Sequence, residues 1–119
     1  MEMSITQTDK FKIVKLSGKI TWEDAQKLDF QVREIIESEK IYNIVFNLDE
    51  VEFICSGGIG ALIYNLNTVR KNDGGIYLIS SGEYVNFIFE TLKFDIVFSG
   101  YLFKTYEDFY SNIVESQNI

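Results

Sequence analysis

At residues 51–62 a strand-like run is followed directly by a strongly periodic helix, and this junction limits the folds that the chain can adopt. The segment Val51-Glu52-Phe53-Ile54-Cys55-Ser56-Gly57-Gly58-Ile59-Gly60-Ala61-Leu62 places one serine and three glycines there. The run at residues 44–48 favours a buried strand, and Asp49-Glu50 predict a loop after it. Downstream, apolar residues recur at helical spacing until Gly74-Gly75 supply a stop; they are Ile59, Leu62, Ile63, Leu66 and Val69.

Ser56 stands where a helix N-cap is expected, and two interpretations of it stay open. As a cap, its side-chain oxygen would accept a hydrogen bond from a backbone amide two or three residues on. However, Gly57 and Gly58 each disfavour a helix by roughly 1 kcal/mol relative to alanine, so something other than helix propensity selects them. Small residues leave the hydroxyl open to another protein, and a phosphate on Ser56 would face the positive end of the helix dipole. Ser56 is therefore either a plain cap or a switch.

The alternation of strand and helix patterns predicts an α/β fold with a mixed, mostly parallel β-sheet. Two strands, at residues 4–7 and 11–17, are expected to form a hairpin around Thr8-Asp9-Lys10, with Gly18 ending the second. A helix is expected to begin after Thr21, since its hydroxyl and the acidic Glu23-Asp24 suit a helix start. Apolar patterns predict further strands at residues 44–48, 76–79 and 96–98, and further helices over 59–69, 85–92 and 106–113.

These elements amount to about four to five strands and about four α-helices. A length of 119 residues with 46% hydrophobic residues suits one domain with one core. We therefore expect a single domain over residues 1–119, with a core at about 4–115.

The segment Ile54-Cys55-Ser56-Gly57-Gly58-Ile59-Gly60 resembles the signature of the STAS-domain anti-sigma factor antagonists. In that signature an acidic residue, a phosphorylated serine, a small residue, a glycine, an aliphatic residue and a glycine follow one another. Ser56 falls on the phospho-acceptor position. Three other segments resemble the family's early strand and glycine turn, its strand before the signature and its helix-to-strand turn: Val14–Ile20, Asn47-Leu48 and Asn72–Leu78. The resemblance covers nearly the whole chain and implies a STAS-like fold.

The resemblance also implies a partner switch. In the family, an ATP-dependent anti-sigma factor serine kinase phosphorylates the serine, and the phosphorylated antagonist lets go of the kinase. A metal-dependent serine phosphatase restores the binding form, which occupies the kinase and so frees a sigma factor. The implied partner-binding residues are Thr21, Trp22, Cys55, Ser56, Gly57, Gly58 and Gly60, with Ser56 as the phosphorylation site and no cofactor.

Two positions depart from the family pattern and support a second hypothesis. Cys55 replaces the acid that usually precedes the serine, and Thr21 replaces the acid that usually follows the early glycine turn. Both departures would fit a constitutive STAS interaction module within a signalling or transport assembly. In that module Ser56 would cap the helix and carry no phosphate.

Composition narrows the classes of partner and compartment. The net charge is −7 and there is no long basic run, which argues against nucleic-acid binding. No apolar run approaches the ~20 residues of a membrane helix, and Met1-Glu2-Met3-Ser4 lacks the features of a signal peptide, so the expected location is the cytoplasm. The one cysteine fits a reducing compartment.

Enzymatic and ligand-binding classes find little support in the residue inventory. Histidine is absent, which removes the usual serine and cysteine triads and the common transition-metal ligand sets. The acidic residues Asp49, Glu50 and Glu52 are better read as a solvated edge than as a Mg²⁺ site, and we assign no metal. Gly58-Ile59-Gly60 begins like a dinucleotide fingerprint, but Ile63 occupies the third glycine position. A phospho-aspartate receiver using Asp49 is rejected because no acidic pair follows the second strand.

Overall fold

The computed structural model describes residues 1–98 and 100–117. One sheet contains the strands β1 (Glu2–Thr8), β2 (Phe11–Ile20), β3 (Asn43–Ile54), β4 (Gly75–Ile79) and β5 (Leu102–Phe103). The strands lie side by side in chain order, with β1 antiparallel to β2 and every other neighbouring pair parallel. The predicted hairpin and the mixed, mostly parallel sheet are thereby confirmed.

The helices are α1 (Trp22–Glu37), α2 (Ser56–Arg70), α3 (Glu83–Thr91), α4 (Phe94–Val97), α5 (Tyr106–Phe109), a π-helical turn (Tyr110–Val114) and α6 (Glu115–Gln117). The last three follow one another without a break and together form the C-terminal helix. The helices predicted after Thr21 and in the three later apolar patterns are confirmed. Within the described residues, no helix has both the length and the apolar composition that a membrane span requires.

The two faces of the sheet carry separate apolar cores. Because side chains alternate along a strand, Val45 points to one face while its neighbours Ile44 and Phe46 point to the other. The first four helices cover the larger core, through residues such as Leu28, Leu66, Phe89 and Phe94. The C-terminal helix covers the smaller one, which consists of Phe11, Ile13, Val45, Tyr77, Ile79, Phe109 and Val114. Every residue of β4 is buried because both of its faces are covered.

One element was wrongly assigned from the sequence. Residues 96–98 were expected to form the last strand, whereas α4 occupies Phe94–Val97 and the last strand is Leu102–Phe103. Phe94 and Phe98 are four residues apart and both are buried, with ring centroids 5.4 Å apart. That spacing is helical, and the amide of Phe98 donates to the carbonyl of Phe94 at 2.8 Å.

β3 is longer than the sequence suggested. A loop was expected at Asp49-Glu50, but the strand runs on to Ile54 and pairs with the end of β2, where Ile20 lies beside Ile54. The two acids occupy exposed positions in this extension, while Val51 and Ile54 are buried. Two shifts in register accompany the extension, one between Lys15 and Ser17 of β2 and one between Gly18 and Lys19. Because β2 and β3 are parallel, their C-terminal ends lie side by side.

Candidate partner-binding site

Ser56 is the first residue of α2, and the expectation that it caps this helix is wrong. The N-cap is Cys55, whose Sγ accepts a hydrogen bond from the amide of Gly58 at 3.4 Å. Cys55 still has extended backbone, and its amide donates to the carbonyl of Ile20 at 3.0 Å, so the helix starts one residue earlier than a serine cap would allow. The sequence misled because cysteine is not among the preferred capping residues.

The hydroxyl of Ser56 is exposed and has no hydrogen bond to any other described residue. The first hydrogen bond of the helix runs from the amide of Ile59 to the carbonyl of Cys55 at 3.2 Å. Backbone amides ahead of it have no helical acceptor, as is general for the first turn of a helix. Ser56 thus presents its hydroxyl to solvent beside the positive end of the α2 dipole.

Trp22 and Gly57 are brought into contact by the pairing of β2 with β3. Trp22 begins α1 just after β2, and Gly57 lies in the first turn of α2 just after β3. A Cβ added to Gly57 would lie 2.7 Å from Cζ3 of Trp22 and 2.8 Å from its Cε3. The indole therefore packs on Gly57 while Trp22 remains 63% exposed. Trp22, which was predicted to lie near the partner face, therefore contacts the residue that follows Ser56.

Gly58 and Gly60 have opposite surroundings. Gly58 is buried, and a Cβ there would meet Cγ1 of Ile54 at 2.9 Å and Cγ2 of Ile20 at 3.2 Å. Gly58 therefore permits close packing of α2 on the ends of β2 and β3. Gly60 is exposed, and a Cβ there would have no neighbour within 4 Å. Nothing within the described chain requires glycine at position 60.

Thr21 is exposed, but its polar groups are engaged at the start of α1. Both its amide and its hydroxyl donate to Oδ2 of Asp24, at 3.1 and 3.0 Å. The hydrogen bond from the Thr21 amide, and to a smaller extent that from its hydroxyl, lower the pKa of the Asp24 carboxyl from its ordinary value of 3.8. The residue in place of the family's usual acid therefore fixes the helix turn that carries Trp22.

A groove between α1 and α2 begins beside the Trp22 indole, and we call it the α1–α2 groove. It encloses about 280 Å³. Its floor consists of small residues and its sides of larger ones: Ala25, Gly57, Gly60 and Ala61 below, with Trp22, Gln26, Asp29, Arg33 and Tyr64 around them. The groove places three of the predicted site residues, Trp22, Gly57 and Gly60, in one depression.

The far end of the α1–α2 groove is held by polar contacts that the sequence did not reveal. Arg33 pairs with Asp29 at 2.9 Å, and its guanidinium carbon lies 4.9 Å from the ring centre of Tyr64. The buried Asn65 donates to Asp29 at 3.0 Å and to the carbonyl of Ala61 at 2.8 Å. Tyr64 follows Gly57 and Gly60 at helical spacing, and that spacing was the signal available in the sequence.

Asp49, one of the three acidic residues before Ser56 in the sequence, has a structural function in the fold. Oδ1 of Asp49 accepts hydrogen bonds from the amide of Ser81 at 2.7 Å and from its hydroxyl at 3.0 Å. Asp49 therefore fixes the loop that leads into α3. Within residues 1–98 and 100–117, no three His, Cys, Asp or Glu side chains are grouped as metal ligands.

Comparison with known proteins establishes the family. The model of the STAS domain matches residues 2–111, so the chain belongs to the STAS domain family. An anti-sigma-B factor antagonist of Staphylococcus aureus is 24% identical over 90 residues, which cover 76% of this chain and 82% of that protein.

Solved structures agree on the fold. A candidate anti-sigma factor antagonist from Thermotoga maritima aligns with a TM-score of 0.85 at 18% identity, covering 93% of each chain. The unphosphorylated anti-sigma factor antagonist SpoIIAA aligns at 0.75 with 13% identity, covering 96% of this chain and 98% of its own. Its phosphorylated form, from Bacillus, also aligns at 0.75 with 13% identity, covering 94% and 99%. A sulfate transporter family protein from Wolinella succinogenes aligns at 0.69 with 15% identity, covering 82% and 80%. At these identities the likeness establishes the fold.

Proposed function

We propose that this chain is an anti-sigma factor antagonist whose binding is controlled by phosphorylation of Ser56. In its unmodified state it binds an ATP-dependent anti-sigma factor serine kinase and so frees a sigma factor. Phosphorylation of Ser56 by that kinase releases the antagonist, and a metal-dependent serine phosphatase reverses the change. The chain acts in the cytoplasm as a binding protein and catalyses no reaction itself.

The observation that carries this proposal is the exposed hydroxyl of Ser56 at the first position of α2. Trp22 and the α1–α2 groove adjoin it, so a kinase that reached the hydroxyl would also meet an aromatic side chain and a depression with an open floor at Gly60. Two relatives add support, since one is named an anti-sigma-B factor antagonist and SpoIIAA is known in both unphosphorylated and phosphorylated forms.

A phosphate on Ser56 would change binding without unfolding the domain. It would add about two negative charges beside free backbone amides at the positive end of α2, where an anion is favoured. Ser56 is exposed, so the phosphate would displace no buried side chain. A docked protein would have to remove water from this phosphate, which costs free energy. The phosphate would also repel acidic groups on the protein's surface. The switch is therefore a local electrostatic change on a fold that stays intact.

The test is recovery of partners from the source cells with tagged wild-type, Ser56→Ala and Ser56→Glu chains, followed by mass spectrometry. We expect an ATP-binding kinase with the wild-type and Ser56→Ala chains, its loss with Ser56→Glu, and phosphate on Ser56 of the wild type. Ser111→Glu is a matched control, because it adds the same charge at an exposed site on the C-terminal helix, and it should retain the kinase.

The second candidate is a constitutive STAS interaction module in a signalling or transport assembly. Cys55 and Thr21 in place of acids favour it, as does the likeness to the sulfate transporter family protein. It predicts that all four tagged chains hold the same partner and that no phosphate is found on Ser56. That result would contradict the switch. Because Cys55 caps α2, Ser56→Ala should leave the free energy of unfolding nearly unchanged under either proposal, so any loss of partner reports on binding.

A further inference from the structure

The outer edge of β1 is a second feature of the molecule that is suited to binding. β1 pairs with β2 continuously from Glu2 to Thr8, without a bulge. It is the first strand of the sheet, so its other edge has no strand beside it in the described chain. At the opposite end of the sheet β5 has only two residues, Leu102 and Phe103. The sheet therefore has a long, regular edge at β1 and a short edge at β5.

Beyond Glu2, the composition of β1 lacks the features that usually protect an edge strand. Proteins prevent such strands from pairing with other chains through charged side chains, proline or bulges. The six residues Met3–Thr8 carry no charge, although 24% of the chain is charged, and proline is absent altogether. Isoleucine and two threonines in this run favour a strand. The edge is consequently open to the addition of another strand.

An apolar strip lies beside this edge on the side of α1. Met3 and Ile5 are opposite Leu16 and Val14 of β2, which belong to the core beneath the helices, so their side chains share that face. Phe30 of α1 is 62% exposed and lines a shallow recess together with Met3, and the polar side chains of Glu23, Gln26, Lys27 and Gln31 border it. Exposed apolar side chains next to an open strand edge mark a surface that another chain would cover.

We propose that β1 pairs antiparallel with β1 of a second copy of this chain about a twofold axis through Ile5. In this register all seven residues of the strand are paired, whereas any other antiparallel register pairs fewer. Ile5 then faces Ile5 of the second copy, Ser4 faces Thr6, Met3 faces Gln7 and Glu2 faces Thr8. The two five-stranded sheets become continuous, and the strips containing Met3, Ile5 and Phe30 are brought together.

Charge and symmetry favour a second copy as the occupant. Each chain has a net charge of −7, so association is least opposed at a surface without charge, and Met3–Thr8 is such a surface. In this register no acid faces an acid, because Glu2 of each chain faces Thr8 of the other. A twofold axis uses the same edge of both chains, so pairing closes at a dimer. The proposal does not rest on Ser56, which follows β3.

The test is sedimentation equilibrium over a concentration series in the micromolar range. We expect the wild-type chain to shift from one to two copies, and Ile5→Lys to weaken dimerisation by about tenfold or more because two ammonium groups would meet on the axis. Mixing the Ile5→Lys and Ile5→Glu chains should restore a one-to-one dimer, since opposite charges then meet there. Phe87→Lys is the control, because Phe87 is 65% exposed on α3, and it should dimerise like the wild type.

A measurement on the unchanged chain accompanies the variants in case they fold poorly. Amide hydrogen exchange of residues 2–8 should slow as concentration rises, while exchange in α3 should not change. A wild-type chain that stays monomeric throughout, with exchange in β1 independent of concentration, would overturn the proposal. So would an Ile5→Lys chain that dimerises as strongly as the wild type, or a folded charge-swapped mixture that remains monomeric.

Discussion

The three glycines after Ser56 show how one residue type serves different purposes within a single helical turn. Gly57 lies under the exposed indole of Trp22, Gly58 lies against the buried side chains of Ile54 and Ile20, and Gly60 lies against nothing in the chain. Each weakens the helix by roughly 1 kcal/mol relative to alanine. Packing explains Gly58, whereas Gly60 has no internal explanation and faces the α1–α2 groove.

This difference predicts opposite effects of the same substitution. Gly58→Ala should lower the free energy of unfolding by about 1–2 kcal/mol, because its methyl group would overlap Ile54 and Ile20, which cannot move without repacking. Gly60→Ala should raise it by up to about 1 kcal/mol, because the helix gains and nothing clashes. Urea unfolding of both variants measures these changes. A stabilised Gly58→Ala chain, or a Gly60→Ala chain destabilised by a similar amount, would contradict this account of the two glycines.

At the scale of single elements, the two helices that flank the site start in different ways. α1 starts with Thr21 and Asp24, a pair of residue types that favour a helix start, and this start was predicted from the sequence. α2 starts with a thiol that accepts a long hydrogen bond from Gly58, and this cap was not predicted. A weak cap on α2 contributes little to holding the first turn, whereas the carboxylate at the start of α1 makes that helix sensitive to acid.

The acid sensitivity of α1 gives a prediction about pH. Hydrogen bonds from Thr21 lower the pKa of Asp24 below 3.8 in the folded state, so the folded state favours the charged carboxylate. Its contribution to stability is complete above the pKa of the unfolded chain and is lost as pH falls through the folded pKa. The stability difference between wild type and Asp24→Asn should therefore be constant at neutral pH and shrink as pH falls below about 3.8.

Urea unfolding at a series of pH values measures this difference. Glu23→Gln is the matched control, since it removes a charge from the same helical turn without removing the acceptor of the two Thr21 hydrogen bonds. A difference between wild type and Asp24→Asn that stays the same from neutral pH to well below 3.8 would show that the carboxylate gains nothing from Thr21.

The order and type of most elements could be predicted because hydrophobic periodicity acts locally. The start of α2 was misplaced by one residue, since it depends on the hydrogen bond from Cys55 to Ile20, which are far apart in sequence. Strand pairing likewise carries β3 past Asp49-Glu50, which looks like a loop when considered alone. In the candidate site, Ser56, Trp22 and Gly57 could be named from the sequence. Arg33 and the hydrogen bonds of Asn65 could not, because they depend on how α1 packs against α2.

At the scale of the whole molecule, the sheet is covered unequally. Four helices cover one face, while the other depends on the C-terminal helix and a cluster of aromatic rings. Phe109 is fully buried there, with its ring centre 5.4 Å from that of Phe11 and 5.4 Å from that of Tyr77. Burial raises the pKa of the Tyr77 hydroxyl above its ordinary value of 10.0, as expected for a phenol with little access to water. Because its ring contacts both Phe11 and Tyr77, Phe109 is central to this second core.

Removing that anchor should destabilise the whole chain. Phe109→Ala is expected to lower the free energy of unfolding by about 3–5 kcal/mol, a large part of the total for a domain of this size. Phe87→Ala is the control, because it removes an exposed ring of the same kind and should change stability by less than about 0.5 kcal/mol. Chemical unfolding of both variants measures the contrast, and a loss below about 1 kcal/mol for Phe109→Ala would show that the second core contributes little.

The contact between Trp22 and Gly57 has a practical consequence. The chain has one tryptophan, and its indole lies beside Ser56 with most of its surface in water. Its intrinsic fluorescence therefore reports directly on the candidate interface. A protein that covered this surface would move the emission to shorter wavelength, so affinity and release could be followed in a cuvette with no dye attached.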